Sequence, residues 1–229
     1  MNFLKKVFLI LKSVRIIAKG NNKILLSSNK NKKFRKSLII VQGENNIIKF
    51  GKNLNIKDFQ LIVNGNGNII TIEDNFKVHT GKIKVMGNNN ILEIKKECQF
   101  WGAALFIEQD QGEVKIDNNN IFNGTQLISG EKGNKLLIGI NNLFSNAIIR
   151  NTDGHKILKK EKQINKGKNI VIKDNIWIAA NVIVLKGVKI NSGNVISAGT
   201  IVTKDILEEN SVIVGNPYRI IKENITWKF

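Results

Sequence analysis

The chain has 229 residues, 36 basic against 18 acidic side chains and a formal charge of +18, with 42% hydrophobic residues. That length and apolar content exclude wholesale disorder and leave room for one large domain or two small ones. One cysteine, Cys98, excludes a disulfide framework and a multi-cysteine metal site, while 39 Ile, 34 Asn and 32 Lys make much of the charge compositional, a weak preference for anionic partners.

Residues 1–20, MNFLKKVFLILKSVRIIAKG, interrupt their apolar stretches with Lys5, Lys6, Lys12, Arg15 and Lys19. The longest apolar run, residues 7–11, is five residues, against roughly 20 for a bilayer span, and no small-residue cleavage site follows. The segment predicts a short basic amphipathic helix, either a cap on the fold or an anchor on a membrane surface. Without a signal or a span, the expected location is the cytoplasm, with the inner face of the membrane as the site of any anchoring.

Residues 21–229 read as one domain because they repeat. From Phe50, steps of 22 reach Ile72, Ile94, Ile116 and Ile138; parallel columns run Ile48, Ile70, Leu92, Val114, Leu136, then Ile56, Val78, Phe100, Phe122, Phe144, then Leu61, Ile83, Leu105, Leu127, Ile149. Within a copy the apolar residues alternate with polar ones, the periodicity of strands. Between strands lie clusters such as Gly65-Asn66-Gly67-Asn68 and Gly87-Asn88-Asn89-Asn90, which tolerate the positive φ of a sharp corner. Stacked turns of short strands predict an all-β chain, a parallel β-helix of about five 22-residue coils with an inward ladder of Phe100, Phe122 and Phe144. Three outward positions, Ile62, Phe106 and Ile128, are apolar and predict a subunit interface.

Residues 152–169 carry no strand pattern and predict a protruding charged loop. Over 170–205 the period tightens to six, with Ile172, Ile178, Val184, Ile190, Ile196 and Val202 pointing inward, and three such sides make 18-residue coils. Val214 rejoins this register in the tail, 206–229, after a turn at 207–210.

The stretch from Ile170 to Ile221 resembles the hexapeptide-repeat acyltransferases, most closely those that O-acetylate bacterial surface polysaccharides, including sialic acid. The resemblance implies a left-handed β-helix, a homotrimer, and acetyl-CoA lying between subunits. Asp153-Gly154-His155 resembles the family's catalytic segment. Histidine is the side chain suited to take a hydroxyl proton near neutral pH, so His155 is the candidate base, the other reading being an incidental loop residue. Asp153 either orients that imidazole or serves the turn. Trp177, in a segment like the family's Asn-Val-Trp-Ile-Gly, either shapes the thioester site or packs an interface. Ala179 stands where the family has glycine.

By the same resemblance Ala179, Ala180, Ser197, Ala198 and Gly199 meet the pantetheine arm, while Thr203, Lys204, Pro217, Arg219 and Lys222 meet the nucleotide and its phosphates. For the basic residues, generic surface charge is the alternative. Leu207-Glu208-Glu209 departs from the family, which has proline there. Arg150 is a candidate partner for an acidic acceptor's carboxylate. His79, outward and one coil below Trp101, is either a surface residue or part of a sugar-binding pair. Trp227 either packs on the β-helix or rims the acceptor site. No metal is required, no nucleic-acid motif is present, and Cys98 falls in an inward column. The expected activity is O-acetylation of a surface-glycan sugar, sialic acid foremost; N-acetylation of a nucleotide-linked amino sugar is the alternative.

Overall fold

The computed structural model describes residues 7–11, 14–27 and 33–229. Among these there is no helix, and the strands wind into a three-sided parallel β-helix. The first face is an eight-stranded sheet running from Lys23–Leu26 through Ile47–Phe50, Ile69–Ile72, Ile91–Ile94, Glu113–Ile116, Lys135–Ile138 and Ile170–Ile172 to Lys189–Ile190. The second and third faces share one sheet of 17 strands, because long strands such as Asn55–Asn64 and Lys77–Met86 bend round the corner between them.

The 22-residue register is met pair by pair. Ile48, Ile70, Leu92, Val114 and Leu136 stack on the first face, and Ile56, Val78, Phe100, Phe122 and Phe144 on the second. All are buried, since a residue flanked above, below and opposite by like neighbours has no route to water. The phenylalanine ladder has ring centroids 5.2 Å apart between Phe100 and Phe122 and 4.6 Å apart between Phe122 and Phe144. Cys98 is fully enclosed, and burial pushes its thiol up to about 12.

The corners solve a harder problem, the burial of polar atoms. Asn46, Asn68 and Asn90 are buried and hydrogen-bond in series: Asn46 Nδ2 donates to Asn22 Oδ1, Asn68 Nδ2 to Asn46 Oδ1, and the Asn90 N–H to Asn68 Oδ1. Each amide thus satisfies the coil above and the coil below. Beside this ladder Gly43 and Gly65 stack at positive φ, and a Cβ on either would sit about 2 Å from the carbonyl oxygen of the next glycine, so no other residue fits.

Three expectations are corrected. The N-terminal helix over 1–20 is absent from the described part: Val7–Leu11 and Val14–Lys19 are strands, paired antiparallel. Val14, Ile16 and Ala18 alternate into the core, and β-branched residues on a half-buried face favour the strand; residues 1–6 and 12–13 lie outside the described part. The loop 152–169 is not strand-free, because Leu158–Lys159 and Lys162–Gln163 form a small antiparallel hairpin. Its turn places Lys160 and Glu161 at φ 47 and 62, the left-handed angles of a tight hairpin turn. Finally, Ile213 rather than Val214 rejoins the inward column: it pairs with Ile196 and is buried, because the last coil closes one residue short of 18. No helix among the described residues is long and apolar enough to cross a membrane.

Candidate active site

The His155 loop leaves the corner between the third and first faces, directly after Ile148–Arg150. Its root is fixed from below. The buried Asn151 accepts from the Gly130 N–H at 2.8 Å and donates through Nδ2 to Ser129 Oγ at 3.0 Å, while its carbonyl accepts from the Lys168 N–H at 3.1 Å, so the loop's entry and exit touch. Arg150 Nε donates to the Thr152 carbonyl at 2.8 Å, and Thr152 Oγ1 accepts from the Gly154 N–H at 3.1 Å. Arg150, the candidate partner for an acceptor carboxylate, is thus engaged through Nε with the root of the His155 loop.

Asn165 and Lys186 hold the rest of the loop. Asn165 Nδ2 donates both to Asp153 Oδ2, at 2.9 Å, and to the His155 carbonyl, at 2.8 Å; its Oδ1 accepts from the Ile157 N–H at 2.7 Å. Lys186 reaches from the next coil to pair with Asp153 Oδ2 and to donate to the Asn165 carbonyl at 2.9 Å. The Lys186 ammonium, assisted by Asn165 against partial burial, holds the Asp153 carboxyl below the usual carboxylate range. Asp153 thus meets Lys186 and Asn165. The His155 side chain is exposed, and no group among the described residues hydrogen-bonds its ring.

Trp177 opens the second face, so the whole first face separates it from the His155 corner. It is 38% exposed and lies 6.2 Å from Trp227, whose Nε1 donates to the Asn175 carbonyl at 2.8 Å. Trp227 in turn meets Phe229 edge to face. The tail packs on the β-helix and enlarges the Trp177 surface at once.

The residues assigned to the pantetheine arm gather at the corner between the second and third faces. The Gly199 N–H donates to the Ala180 carbonyl at 2.9 Å, Ala198 and Gly199 are exposed, and nothing lies within 4 Å of where a Gly199 Cβ would stand. Gly199 is glycine for its φ of 73°, and the low corner it shares with Ala180 and Ala198 leaves space for a slender chain. Ala179 and Ser197 flank it, half-buried. The terminal hairpin, Val212–Gly215 with Tyr218–Lys222, is tied to this corner by the Gly215 N–H bond to Thr200 Oγ1 at 3.2 Å, with a cis peptide bond before Pro217 in its turn. Tyr218 donates to the Asp205 carbonyl at 2.5 Å, and its ring lies 5.1 Å beneath Lys204 Nζ. The hairpin so links the small-residue corner to Thr203 and Lys204, with Arg219 and Lys222 exposed upon it.

Asn165, Lys186 and Tyr218 were not singled out by sequence. The first two are hidden among 34 Asn and 32 Lys, and only the fold shows which ones meet. A groove of about 330 Å³ on the first face, lined by Glu93, Lys95, Lys115, Leu137, Val171 and Asp174 among others, includes none of the candidate site residues.

The three-sided parallel β-helix, with hexapeptide coils and a histidine-bearing loop at one corner, matches the left-handed β-helix fold of acetyltransferases of known structure. Solved structures agree. The polysialic acid O-acetyltransferase OatWY is similar at 28% identity and TM-score 0.63, covering 93% of this chain and 90% of its own. The polySia-specific acetyltransferase NeuO is similar at 26% identity and TM-score 0.64, covering 96% and 90%. No protein-family model and no curated protein matches the chain.

Proposed function

We propose that this chain transfers an acetyl group from acetyl-CoA to a hydroxyl of an acidic surface polysaccharide built of sialic acid, with His155 as the general base. The observation that carries this reading is the His155 loop, an exposed imidazole on a backbone clamped at both ends, in a fold shared with two polysialic acid acetyltransferases. Acetyl-CoA supplies the activated acyl group as co-substrate. The small corner at Ala180, Ala198 and Gly199 suits the pantetheine arm, and Lys204, Arg219 and Lys222 suit its phosphates.

His155 takes the proton of the acceptor hydroxyl as its oxygen attacks the thioester carbonyl, and returns that proton to the departing thiolate. No enzyme nucleophile is needed, and Cys98, buried and protonated, is unsuited to be one. Because Trp177 and His155 occupy different corners of one chain, a site using both requires two chains. The outward column Ile17, Ile40, Ile62, Lys84, Phe106, Ile128, Arg150 and the stacked Ile148, Ile183 and Ile201 give the third face an apolar stripe that suits the core of a homotrimer. The test is thiol release from acetyl-CoA with sialylated, neutral and amino sugars side by side. Release that needs a sialoside and is lost in His155→Ala is expected; release with an amino sugar alone means N-acetylation and overturns the reading.

A further inference from the structure

On the second face of the broad coils, Arg35, Lys57, His79 and Trp101 stand on four successive coils in one outward column. Trp101 is 41% exposed, and its ring stacks on the His79 imidazole with centroids 6.1 Å apart and planes 25° from parallel. Lys57 Nζ lies 3.1 Å from His79 Nε2, and Trp101 Nε1 donates to Gln99 Oε1 at 3.3 Å. The neighbouring outward column adds Lys33 and Lys77.

Composition alone does not require such a patch, because on the middle coils of its first face the same lysine-rich chain pairs lysine with glutamate. There Lys95 bridges Glu73 and Glu93, and Glu113 bridges Lys115 and Lys135. The two columns on the second face hold no carboxylate, and among the described residues none of Lys33, Arg35, Lys57 and Lys77 forms an ion pair. An unpaired cationic row ending on an exposed indole combines two recognition elements. A sugar ring lays its C–H face on an indole, and carboxylates along an acidic glycan meet the row of ammonium and guanidinium groups.

We propose that this column is a second binding site, separate from the site of transfer, for a strand of acidic polysaccharide lying along the helix axis. It rests on the reading of the chain as a polysaccharide acetyltransferase. Four rungs at about 4.8 Å cover roughly 14 Å. The column runs on through Asn123 and Ser145 toward the level of Trp177, which stands on the same face. A polymer held at Trp101 is thereby fed toward the Trp177 corner, whereas a short acceptor reaches only one of the two places.

The test measures polysialic acid binding by calorimetry at low salt, with a sialic acid dimer and heparin as comparison ligands. His155→Ala should bind the polymer as the wild type does, and Trp101→Phe should keep most of the affinity. Trp101→Ala and Lys57→Met should each lose about tenfold, the loss of one stacked or charge-assisted contact. The ratio of kcat/KM on the polymer to that on the dimer should fall by the same factor in Trp101→Ala. Polymer binding unchanged in Trp101→Ala overturns the site, as does heparin bound equally by both proteins and tighter than polysialic acid, which would mean charge alone. Should no sialoside be acetylated while Trp101-dependent glycan binding persists, the acceptor reading fails and this site stands.

Discussion

The coils before residue 151 and those after 169 stack the same inward columns, yet they manage their corners differently. In the broad coils two of the three corners are secured by buried amides, Asn46 to Asn90 along one and Asn120 to Asn142 along the other, and glycines such as Gly43 and Gly65 press against the next coil. In the tight coils most strands shrink to two residues, single left-handed residues such as Asn175, Asn181, Gly187 and Gly193 turn the chain, and a buried amide persists at Asn194. A broad corner absorbs added residues inside the prism; a tight one has no slack, so any insertion must leave it. At the junction the coil-to-coil step grows to 34 residues, and the surplus emerges as the His155 loop.

The largest effect that tests this contrast is on chemistry. His155→Ala should lower turnover by about 10² to 10⁴ while leaving coenzyme A affinity intact; loss of both together would make the loop a structural part of the prism. Next comes the core of the broad coils: Phe122→Ala should cost about 3–5 kcal/mol in urea unfolding, and a loss below 1 kcal/mol would mean the ring ladder is loosely packed. The corner amides follow. Asn68→Ala orphans partners on two coils and should cost about 1–3 kcal/mol, where Asn181→Gly in a tight corner should be close to neutral.

Smaller still is the clamp. Lys186→Met should lower kcat about tenfold with the KM for acetyl-CoA unmoved and faster amide exchange at Ile157, and Lys186→Arg should restore much of it. Equal loss in kcat and folding stability would reduce Lys186 to a scaffold residue. Because the Asp153 carboxyl is depressed below its ordinary value of 3.8, its contribution to loop order is complete above that pH and lost only as the pH falls below it. Protection at Ile157 followed from pH 6 to pH 3 reads this directly, and loss already near pH 5 would contradict the clamp.

What was legible in the chain tracks what is periodic in it. The inward columns, the aromatic ladder and the buried Cys98 follow from spacing alone, because each coil repeats its neighbour's environment. The departures are where one residue breaks the count or violates a local preference. Ile213 displaces Val214 because the final coil is short. The hairpin at 158–163 was unreadable because Lys160 and Glu161 sit at angles where Asn or Gly is the usual signal. The N-terminal lysines suggested a helix face, but Val14, Ile16 and Ala18 have strand spacing once a neighbouring strand exists to bury them. The break in periodicity at 152–169 located the loop and a family likeness singled out His155 within it, yet the side chains that shape it, Asn165 and Lys186, carry no spacing signal.

The antiparallel strands at the two ends of the prism have a further consequence. A stack of in-register parallel strands is a template, and its last rung offers unpaired amides and carbonyls to any similar segment that drifts past. Val7–Leu11, folding back on Val14–Lys19, and Tyr218–Lys222, folding back on Val212–Gly215, present two edges of the larger sheet in the reverse direction. The larger sheet thus finishes on reversed strands at these two edges, which an in-register parallel copy does not continue.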